Sequence, residues 1–345
     1  MRKKAAFGMI SVFLTMCLLV GCSGNSQTGS QSSATESAAP ETTEPSASAE
    51  STQDAASEDA DTEQLTFGFS PVNMSNEFFQ YIESTMRTLI EERGDVLITL
   101  DPQQDAQKQI SQIEDMIVQG VDLIFLCPYD SISIKPALIA AQEADVPIIC
   151  FDNPVADTDL VASVVATDNY SAGKVVAEYL MEELDEGSDV GIVVSFVGEA
   201  AMLRTDGFVE TVGDYFNIVG TFDGDGDTAT SMLVAEDILQ GNQNVKAIYC
   251  GNDPAAYGVI QAIEAAGKTG EVLVCGVDGA PDAKKLIKEG TMAGTGAQSP
   301  ASIAEGSVMA GYEYLAGGEI EPVIAIPSFI INKDNVDEYG LDSWQ

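Results

Sequence analysis

The chain has 345 residues, 45% of them hydrophobic, and a formal net charge of −40 at pH 7, with 15 Lys and Arg against 55 Asp and Glu. This length suits two domains with sizeable cores. A surface this acidic repels phosphate backbones, which argues against a nucleic-acid partner. The chain has no histidine, and so lacks the commonest general base and the commonest transition-metal ligand. We therefore expect no enzyme, no cofactor and no transition-metal site, with catalysis through carboxylates or lysine as the open alternative.

The first 21 residues have the pattern of a signal peptide. A basic stretch, Arg2 to Lys4, precedes an apolar run from Ala5 to Val20. The run ends in Leu19-Val20-Gly21-Cys22, which resembles a bacterial lipobox. This resemblance implies cleavage before Cys22 and lipidation of its thiol, which would anchor the protein to the cell membrane. An ordinary secretory signal with an incidental cysteine and an uncleaved anchor are the alternatives.

Residues 22–64 differ in composition from the rest of the chain. The stretch from Ser23 to Gln64 is rich in Ser, Thr, Ala, Gln and Glu and contains no aromatic residue, Lys or Arg. Such a segment buries too little apolar surface to offset the entropy that ordering costs. We predict a lipidated, disordered tether.

From Leu65 onward, short β-rich runs alternate with longer segments that have helical periodicity. This alternation predicts parallel sheets with helices on both faces. The predicted strands are Leu65–Ser70, Val96–Leu100, Leu123–Cys127, Ile148–Asp152, Val161–Val165, Val190–Ser195, Asn217–Thr221, Lys246–Cys250, Val272–Val277 and Met292–Gly296. The clearest predicted helices are Asn76–Arg93, Ala106–Gln119, Ile134–Ala144 and Ser171–Leu184.

The strands form two sets whose sequences echo each other. The run Ile148-Ile-Cys-Phe-Asp152 is answered by Val272-Leu-Val-Cys-Gly-Val-Asp278. We predict an α/β fold of two doubly wound parallel-sheet domains joined by a multi-strand hinge. Ligands bind such sheets at the carboxyl ends of the strands. A binding cleft between the two domains is therefore expected.

Four cysteines, Cys127, Cys150, Cys250 and Cys275, lie inside apolar runs of the predicted folded body. An export signal permits disulfides. The spacings match no small disulfide framework, so we predict buried free thiols.

Several short motifs occur along the predicted body. They are Gly68-Phe-Ser-Pro-Val-Asn-Met-Ser-Asn-Glu-Phe-Phe79, Phe151-Asp-Asn-Pro154, Ala166-Thr-Asp-Asn169, Cys250-Gly-Asn-Asp-Pro-Ala-Ala-Tyr-Gly258, Gly276-Val-Asp-Gly-Ala-Pro-Asp282 and Gly296-Ala-Gln-Ser-Pro300. In this order they resemble the ribose/galactose-binding branch of the type I periplasmic binding proteins. The resemblance implies an N-terminal lobe of residues 65–167 plus 299–327 and a C-terminal lobe of residues 168–298 plus 328–345. Chain crossings are expected near residues 167–168, 298–301 and 326–329.

The resemblance also implies a set of ligand-binding residues. Those that match the family motifs are Ser70, Asn76, Phe78, Phe79, Asp152, Asn252, Asp278 and Gln298. Carboxylates and amides suit the hydroxyl groups of a sugar, and aromatic faces suit its C–H surface. The alternative is structural: one phenylalanine of the pair would be a core residue, and the two aspartates would cap the helices that follow.

The sequence departs from the family pattern at three places. Asn153 stands where the sugar binders carry arginine, and a second ligand-binding arginine falls at Met202, with Arg204 two residues on. We include Asn153 and Arg204 among the predicted ligand-binding residues. An aromatic wall from the second domain is replaced within residues 222–228, unless Phe222 takes that place. In the same segment, Asp223, Asp225 and Asp227 could bind calcium or form a solvated turn.

The implied function is that of an extracytoplasmic substrate-binding lipoprotein of an ABC transporter. It would be a monomer that binds a sugar-like small molecule by hinge closure and presents it to a permease. Two alternatives stay open: a ligand-sensing module that feeds a membrane receptor, and a binder of a non-sugar metabolite.

Overall fold

The computed structural model describes residues 64–345. The predicted signal peptide, Cys22 and the predicted tether up to residue 63 lie outside the described residues. In the part of the chain that is described, no helix has both the length and the apolar character needed to cross a bilayer.

Strands occur at every position where the sequence predicts one, with ends shifted by one or two residues. They are β1 Thr66–Ser70, β2 Val96–Thr99, β3 Leu123–Leu126, β4 Ile148–Phe151, β5 Ser163–Thr167, β6 Asp189–Val194, β7 Asn217–Asp223, β8 Ala247–Cys250, β9 Leu273–Asp278, β10 Gly294–Ala297, β11 Val323–Ile326 and β12 Phe329–Asn332. The last two were predicted only as a chain crossing.

The helices follow the strands in alternation. They are α1 Glu77–Glu91, α2 Ala106–Gln119, α3 Lys135–Glu143, α4 Asn169–Glu183, α5 Glu199–Val212, α6 Thr228–Gly241, α7 Asp253–Ala265, α8 Pro281–Glu289 and α9 Pro300–Leu315. Most helices begin after a polar N-cap residue. For α2 this residue is Asp105, whose carboxylate accepts from two backbone N–H groups of the first turn.

The strands form two six-stranded sheets with the same topology. The first has the order β11-β5-β4-β3-β1-β2 and the second β12-β10-β9-β8-β6-β7. All neighbours are parallel except β12, which runs antiparallel to β10. We call the first sheet with α1, α2, α3 and α9 the first lobe, and the second sheet with α4 to α8 the second lobe. The predicted α/β fold of two doubly wound parallel-sheet domains is confirmed.

The chain passes between the lobes at three places. β5 ends at Thr167 before α4, β10 ends at Ala297 before α9, and β11 ends at Ile326 just before β12 begins. The sequence predicts crossings near residues 167–168, 298–301 and 326–329, and the predicted lobe bounds stay a prediction.

Each sheet is covered by apolar side chains on both faces. In β3, for example, Phe125 packs into the core under α1 and α9, while Ile124 packs into the core under α2 and α3. The four cysteines of the body are buried free thiols, as predicted.

Two glycines allow a close helix contact that positions the site. A Cβ on Gly173 of α4 would lie 1.8 Å from the carbonyl oxygen of Arg204, and one on Gly207 of α5 would lie 2.0 Å from that of Tyr170. Helices α4 and α5 therefore pack backbone to backbone. This contact fixes the position of the Arg204 backbone at the edge of the second sheet.

Candidate ligand-binding site between the lobes

A cavity of about 360 Å³ lies between the carboxyl ends of the two sheets. Both lobes contribute to its wall, which combines aromatic rings with carboxylate, amide and guanidinium groups. Its lining residues are Asn76, Phe78, Phe79, Asp152, Asn153, Asn169, Ala200, Arg204, Pro254, Tyr257, Asp278, Ala280, Gln298 and Trp344. Such a mixture is typical of a small-molecule site that fixes the orientation of its ligand.

The first lobe supplies an aromatic wall from the start of α1. Asn76 caps the helix, its Oδ1 accepting from the backbone N–H of Phe78 at 2.9 Å. The rings of Phe78 and Phe79 meet edge to face, with centroids 5.6 Å apart. Both rings line the cavity and both belong to the core of the first lobe, so the structural and ligand-facing roles are not exclusive.

The second lobe supplies a charged network centred on Arg204 and Asp278. The Nη1 of Arg204 lies 3.1 Å from Oδ1 of Asp278 and 3.0 Å from the carbonyl oxygen of Gly251. Its Nε donates to Oδ1 of Asn169 at 2.8 Å. The two charged side chains are only 10% and 18% exposed. A buried pair of this kind is rigid and costly to break.

Asp278 is well supplied with donors. Gln298 Nε2 donates to Oδ1 at 2.9 Å, and the backbone N–H of Asp253 donates to Oδ2 at 3.2 Å. Burial raises the pKa of Asp278, and the neighbouring Arg204 guanidinium opposes that rise. Gln298 in turn accepts from the hydroxyl of Thr167 at 2.8 Å, which ties this network to the first chain crossing.

Asp152 occupies the same place in the first lobe but has few partners. Among the described residues, its carboxylate accepts a hydrogen bond from the thiol of Cys127 alone, with Sγ 3.8 Å from Oδ2. Burial raises the pKa of Asp152 to about 6, against the lowering effect of Arg204. This carboxylate therefore retains free acceptor positions at the cavity wall.

Both cavity-lining aspartates have unusual backbone conformations. The φ angle of Asp152 is 63° and that of Asp278 is 143°, in a region that side-chain-bearing residues rarely adopt. Such strain tends to persist at functional sites. Neither carboxylate caps the helix that follows it. The short 3-10 helix after Asp152 has Asp157 at its N-cap, and α8, after Asp278, has Ala280. The capping alternative for these residues is not what the structure shows.

Asn153 also lies at the cavity, with its Nδ2 directed at the sulfur of Cys127, 3.5 Å away. It replaces an arginine of the family pattern without replacing its charge. Met202 is 57% exposed and lies outside the lining, whereas Arg204, two residues on, reaches it.

Two predicted ligand-binding residues do not reach the cavity wall. Ser70 is fully buried, and its hydroxyl accepts from Gln109 Nε2 at 3.1 Å. Asn252 caps α7 through its Oδ1, and its Nδ2 donates to the carbonyl oxygen of Gly226 at 2.9 Å. Both side chains have hydrogen-bond partners within the fold, and neither is among the residues that line this cavity.

Three polar or aromatic lining residues were missed by the sequence-based prediction. They are Asn169 at the first crossing, Tyr257 on α7, and Trp344 in the segment that follows β12. Asn169 ends the motif Ala166-Thr-Asp-Asn169, which adjoins a predicted chain crossing. That position was the sequence signal that could have identified it as a lining residue. Phe222, considered for the second aromatic wall, instead packs on the core of the second lobe.

The turn from Asp223 to Asp227 is used by the fold. Asp227 caps α6 by accepting from two backbone N–H groups, and Asp223 accepts from the N–H of Asp225 at 3.0 Å. In residues 64–345 no group of three or more cysteine or acidic side chains is arranged to hold a metal ion.

Two like lobes, three crossings and a polar cavity at facing strand ends define a two-lobed ligand-binding protein. The family described as "Periplasmic binding protein domain" matches residues 67–319. The Ribose import binding protein RbsB of Bacillus subtilis is 31% identical over 266 residues, which cover 77% of this chain and 86% of that protein. The chain belongs to the periplasmic binding protein domain family.

One further relative is named for D-allose, and two similar solved structures hold D-allose or myo-inositol. The D-allose-binding periplasmic protein of Escherichia coli is 32% identical over 235 residues, 65% of this chain and 76% of that protein. A solute-binding protein of an ABC transporter from Actinobacillus succinogenes, solved with D-allose, has a TM-score of 0.73 at 26% identity and covers 80% of this chain and 100% of that one. One from Bacillus halodurans, solved with myo-inositol, has a TM-score of 0.72 at 27% identity, covering 81% and 98%.

Proposed function

We propose that this protein is the extracytoplasmic binding component of an ABC importer and takes a sugar or a sugar-like polyol between its lobes. The observation that carries this proposal is the cavity itself: an aromatic pair on one lobe faces Arg204 and Asp278 on the other, with Asp152 free to accept. A sugar presents hydroxyl groups and an apolar C–H face, and this wall is complementary to both.

The relatives support the same class. Their names describe import or periplasmic binding proteins for ribose and allose, which are binding proteins rather than enzymes. An extracytoplasmic location agrees with the signal-like segment at the start of the chain. We further propose that Cys22 carries the lipid anchor and that the partner is a membrane permease.

Ligand binding would act through the hinge. A small molecule that contacts both lobes binds the closed arrangement better than an open one, and therefore shifts the population toward closure. The closed arrangement would then be the form that the permease recognises.

The replacement of two family arginines bears on the ligand. Because Asn153 and Met202 stand at the two arginine positions, the guanidinium group that lines this cavity is that of Arg204. One of its N–H groups already donates to Asp278. A ligand rich in its own donors, such as myo-inositol, fits this wall better than one that relies on bidentate arginines. We rank polyols above ribose for this reason.

A thermal-shift screen tests the proposal. The panel is D-ribose, D-allose, L-arabinose, D-fucose and myo-inositol, with L-leucine and calcium chloride as non-sugar controls. A compound at about 100 times its Kd stabilises the folded state by about 2.7 kcal/mol, which raises the Tm by several degrees. Stabilisation by L-leucine or calcium, with none by the five panel compounds, would contradict the sugar assignment.

A further inference from the structure

Residues 339–345, which we call the strap, run from the second lobe to the first. Tyr339 and Leu341 pack on the core of the second lobe, and the Tyr339 ring stacks on Phe329 at 5.1 Å. At the other end, Trp344 packs on the core of the first lobe. The strap is thus a fourth connection between the lobes, made by packing rather than by a chain crossing.

Lys284 of α8 holds the strap to the second lobe. This lysine is fully buried, and its Nζ donates to the carbonyl oxygens of Tyr339 at 3.1 Å and Ser343 at 2.5 Å, and to Oε1 of Gln345 at 3.0 Å. Burial lowers the pKa of Lys284 to about 8, so the amine still carries its third proton at neutral pH. A buried ammonium needs such partners, and the strap provides all three.

Gln345 fastens the strap beside the second crossing. Its Nε2 donates to the carbonyl oxygen of Gln298, and its own carbonyl accepts from the hydroxyl of Ser299 at 3.1 Å. Gln298 is a cavity-lining residue that also bonds Asp278. The strap is therefore in contact with the site as well as with the hinge.

Trp344 lies between these anchors and faces the cavity. Its ring meets Phe78 edge to face, with centroids 5.2 Å apart, and it lines the cavity beside the aromatic pair. Within residues 64–345 the indole Nε1 is buried and has no hydrogen-bond partner, so no such bond holds the ring in place. Its position follows from the Phe78 contact and from the anchoring of its neighbours, Ser343 and Gln345.

We infer that Trp344 is a ligand-contacting residue and that Lys284, through the strap, positions its ring at the cavity wall. This inference rests on the proposed function for its ligand. The strap is anchored on the second lobe, and its indole contacts the first. The same ring is therefore placed to contact both the ligand and the opposite lobe.

The chain contains a single tryptophan, so its fluorescence reports on this residue alone. In ligand-free protein, Lys284→Met should shift the Trp344 emission to longer wavelength, because the strap loses three hydrogen bonds and exposes the ring. Lys174→Met is the matched control, since Lys174 lies on α4 with an exposed side chain and a partner, Glu178, 3.7 Å away. Emission in Lys284→Met identical to that of the wild type would overturn the positioning role.

The ligand contact is tested separately with D-allose and myo-inositol. Loss of an aromatic contact worth about 0.5–1.5 kcal/mol should weaken binding about two- to twelvefold in Trp344→Ala, whereas Trp344→Phe should retain most of the affinity. Binding by calorimetry that is equal in wild type and Trp344→Ala overturns this inference and leaves the proposed function standing. Absence of binding by every panel compound contradicts the proposed function and, with it, the ligand contact.

Discussion

Asp152 and Asp278 occupy equivalent places in the two sheets, yet their surroundings differ sharply. Each follows a buried run in which a cysteine comes shortly before the aspartate, and each lines the same cavity with a positive φ. Asp278 accepts from Arg204, Gln298 and a backbone N–H. Within residues 64–345, Asp152 accepts only from the weak thiol donor of Cys127. The two lobes thus share a fold, but the equivalent carboxylates differ in their hydrogen-bond partners.

This difference indicates what each lobe does. In the second lobe the carboxylate is committed to an internal network that fixes Arg204 and the amide of Gln298. In the first lobe the carboxylate is left with free acceptor positions next to an aromatic pair. A buried carboxylate without strong donors is costly unless something supplies them, and a hydroxyl-rich ligand does so.

The largest effect is expected from Asp278→Ala. Removal of one partner of a buried ion pair leaves the Arg204 charge uncompensated and costs about 3–5 kcal/mol of stability. We expect loss of measurable binding together with a lower Tm, measured by calorimetry and thermal melts. Asp282→Ala is the control, since that side chain is 76% exposed on α8. Wild-type stability in Asp278→Ala would show that the network is unimportant.

Asp152→Asn should separate binding from stability. The amide keeps the shape of the side chain but loses acceptor capacity, and an unpaired ligand hydroxyl costs about 1–3 kcal/mol, or roughly 5- to 150-fold in Kd. Ligand-free stability at neutral pH should rise or stay unchanged, because the ionised carboxylate is nearly unpartnered. A variant that is destabilised but binds normally would reverse the assignment.

The pH dependence sharpens the same comparison. The raised pKa of Asp152, about 6, means that its contribution to stability is present below about pH 4 and is lost as the pH rises through about 6. Binding has the opposite sign: ligand hydroxyls favour the ionised form, so affinity should fall about tenfold from about pH 7 to about pH 5. Titration calorimetry at several pH values checks this, and Asp152→Asn should flatten the profile. An affinity that increases on acidification would contradict it.

The smallest effects on affinity are expected at Ser70 and Asn252, whose side chains are hydrogen-bonded within the fold. Asn252→Ala removes the cap of α7 and should cost about 0.5–2 kcal/mol of stability with unchanged affinity. Ser70→Ala should also leave affinity unchanged, since Gln109 keeps the carbonyl oxygens of Pro71 and Cys127 as acceptors. Weaker binding by Asn252→Ala at wild-type stability would return that residue to the ligand site.

The fold was predictable from the sequence because its signals are local. Apolar runs at regular intervals, polar residues at helix starts and the echo between Ile148–Phe151 and Leu273–Asp278 are each legible in a few adjacent residues. The ends of strands were predictable too, but Asp152, Asp278 and Gln298 were assigned to the ligand site from the family resemblance.

Side-chain direction at those ends was not predictable. Asn252 and Asp152 both follow a strand, but one turns into a helix cap and the other stays at the cavity, and the choice depends on contacts with distant residues such as Gly226 and Cys127. Trp344 was missed for the same reason. Its place depends on Lys284, which lies 60 residues earlier in the chain and gives no local sign of its partners.

The most direct measurement is a crystal structure with the most stabilising panel compound bound. We expect the compound in the cavity between the lobes, with hydroxyl oxygens within hydrogen-bond distance of Asp152 and Arg204 and its C–H face against Phe78 or Trp344. A compound bound elsewhere on the surface, with the cavity between Asp152 and Asp278 unoccupied, would contradict the proposal that this cleft is the binding site.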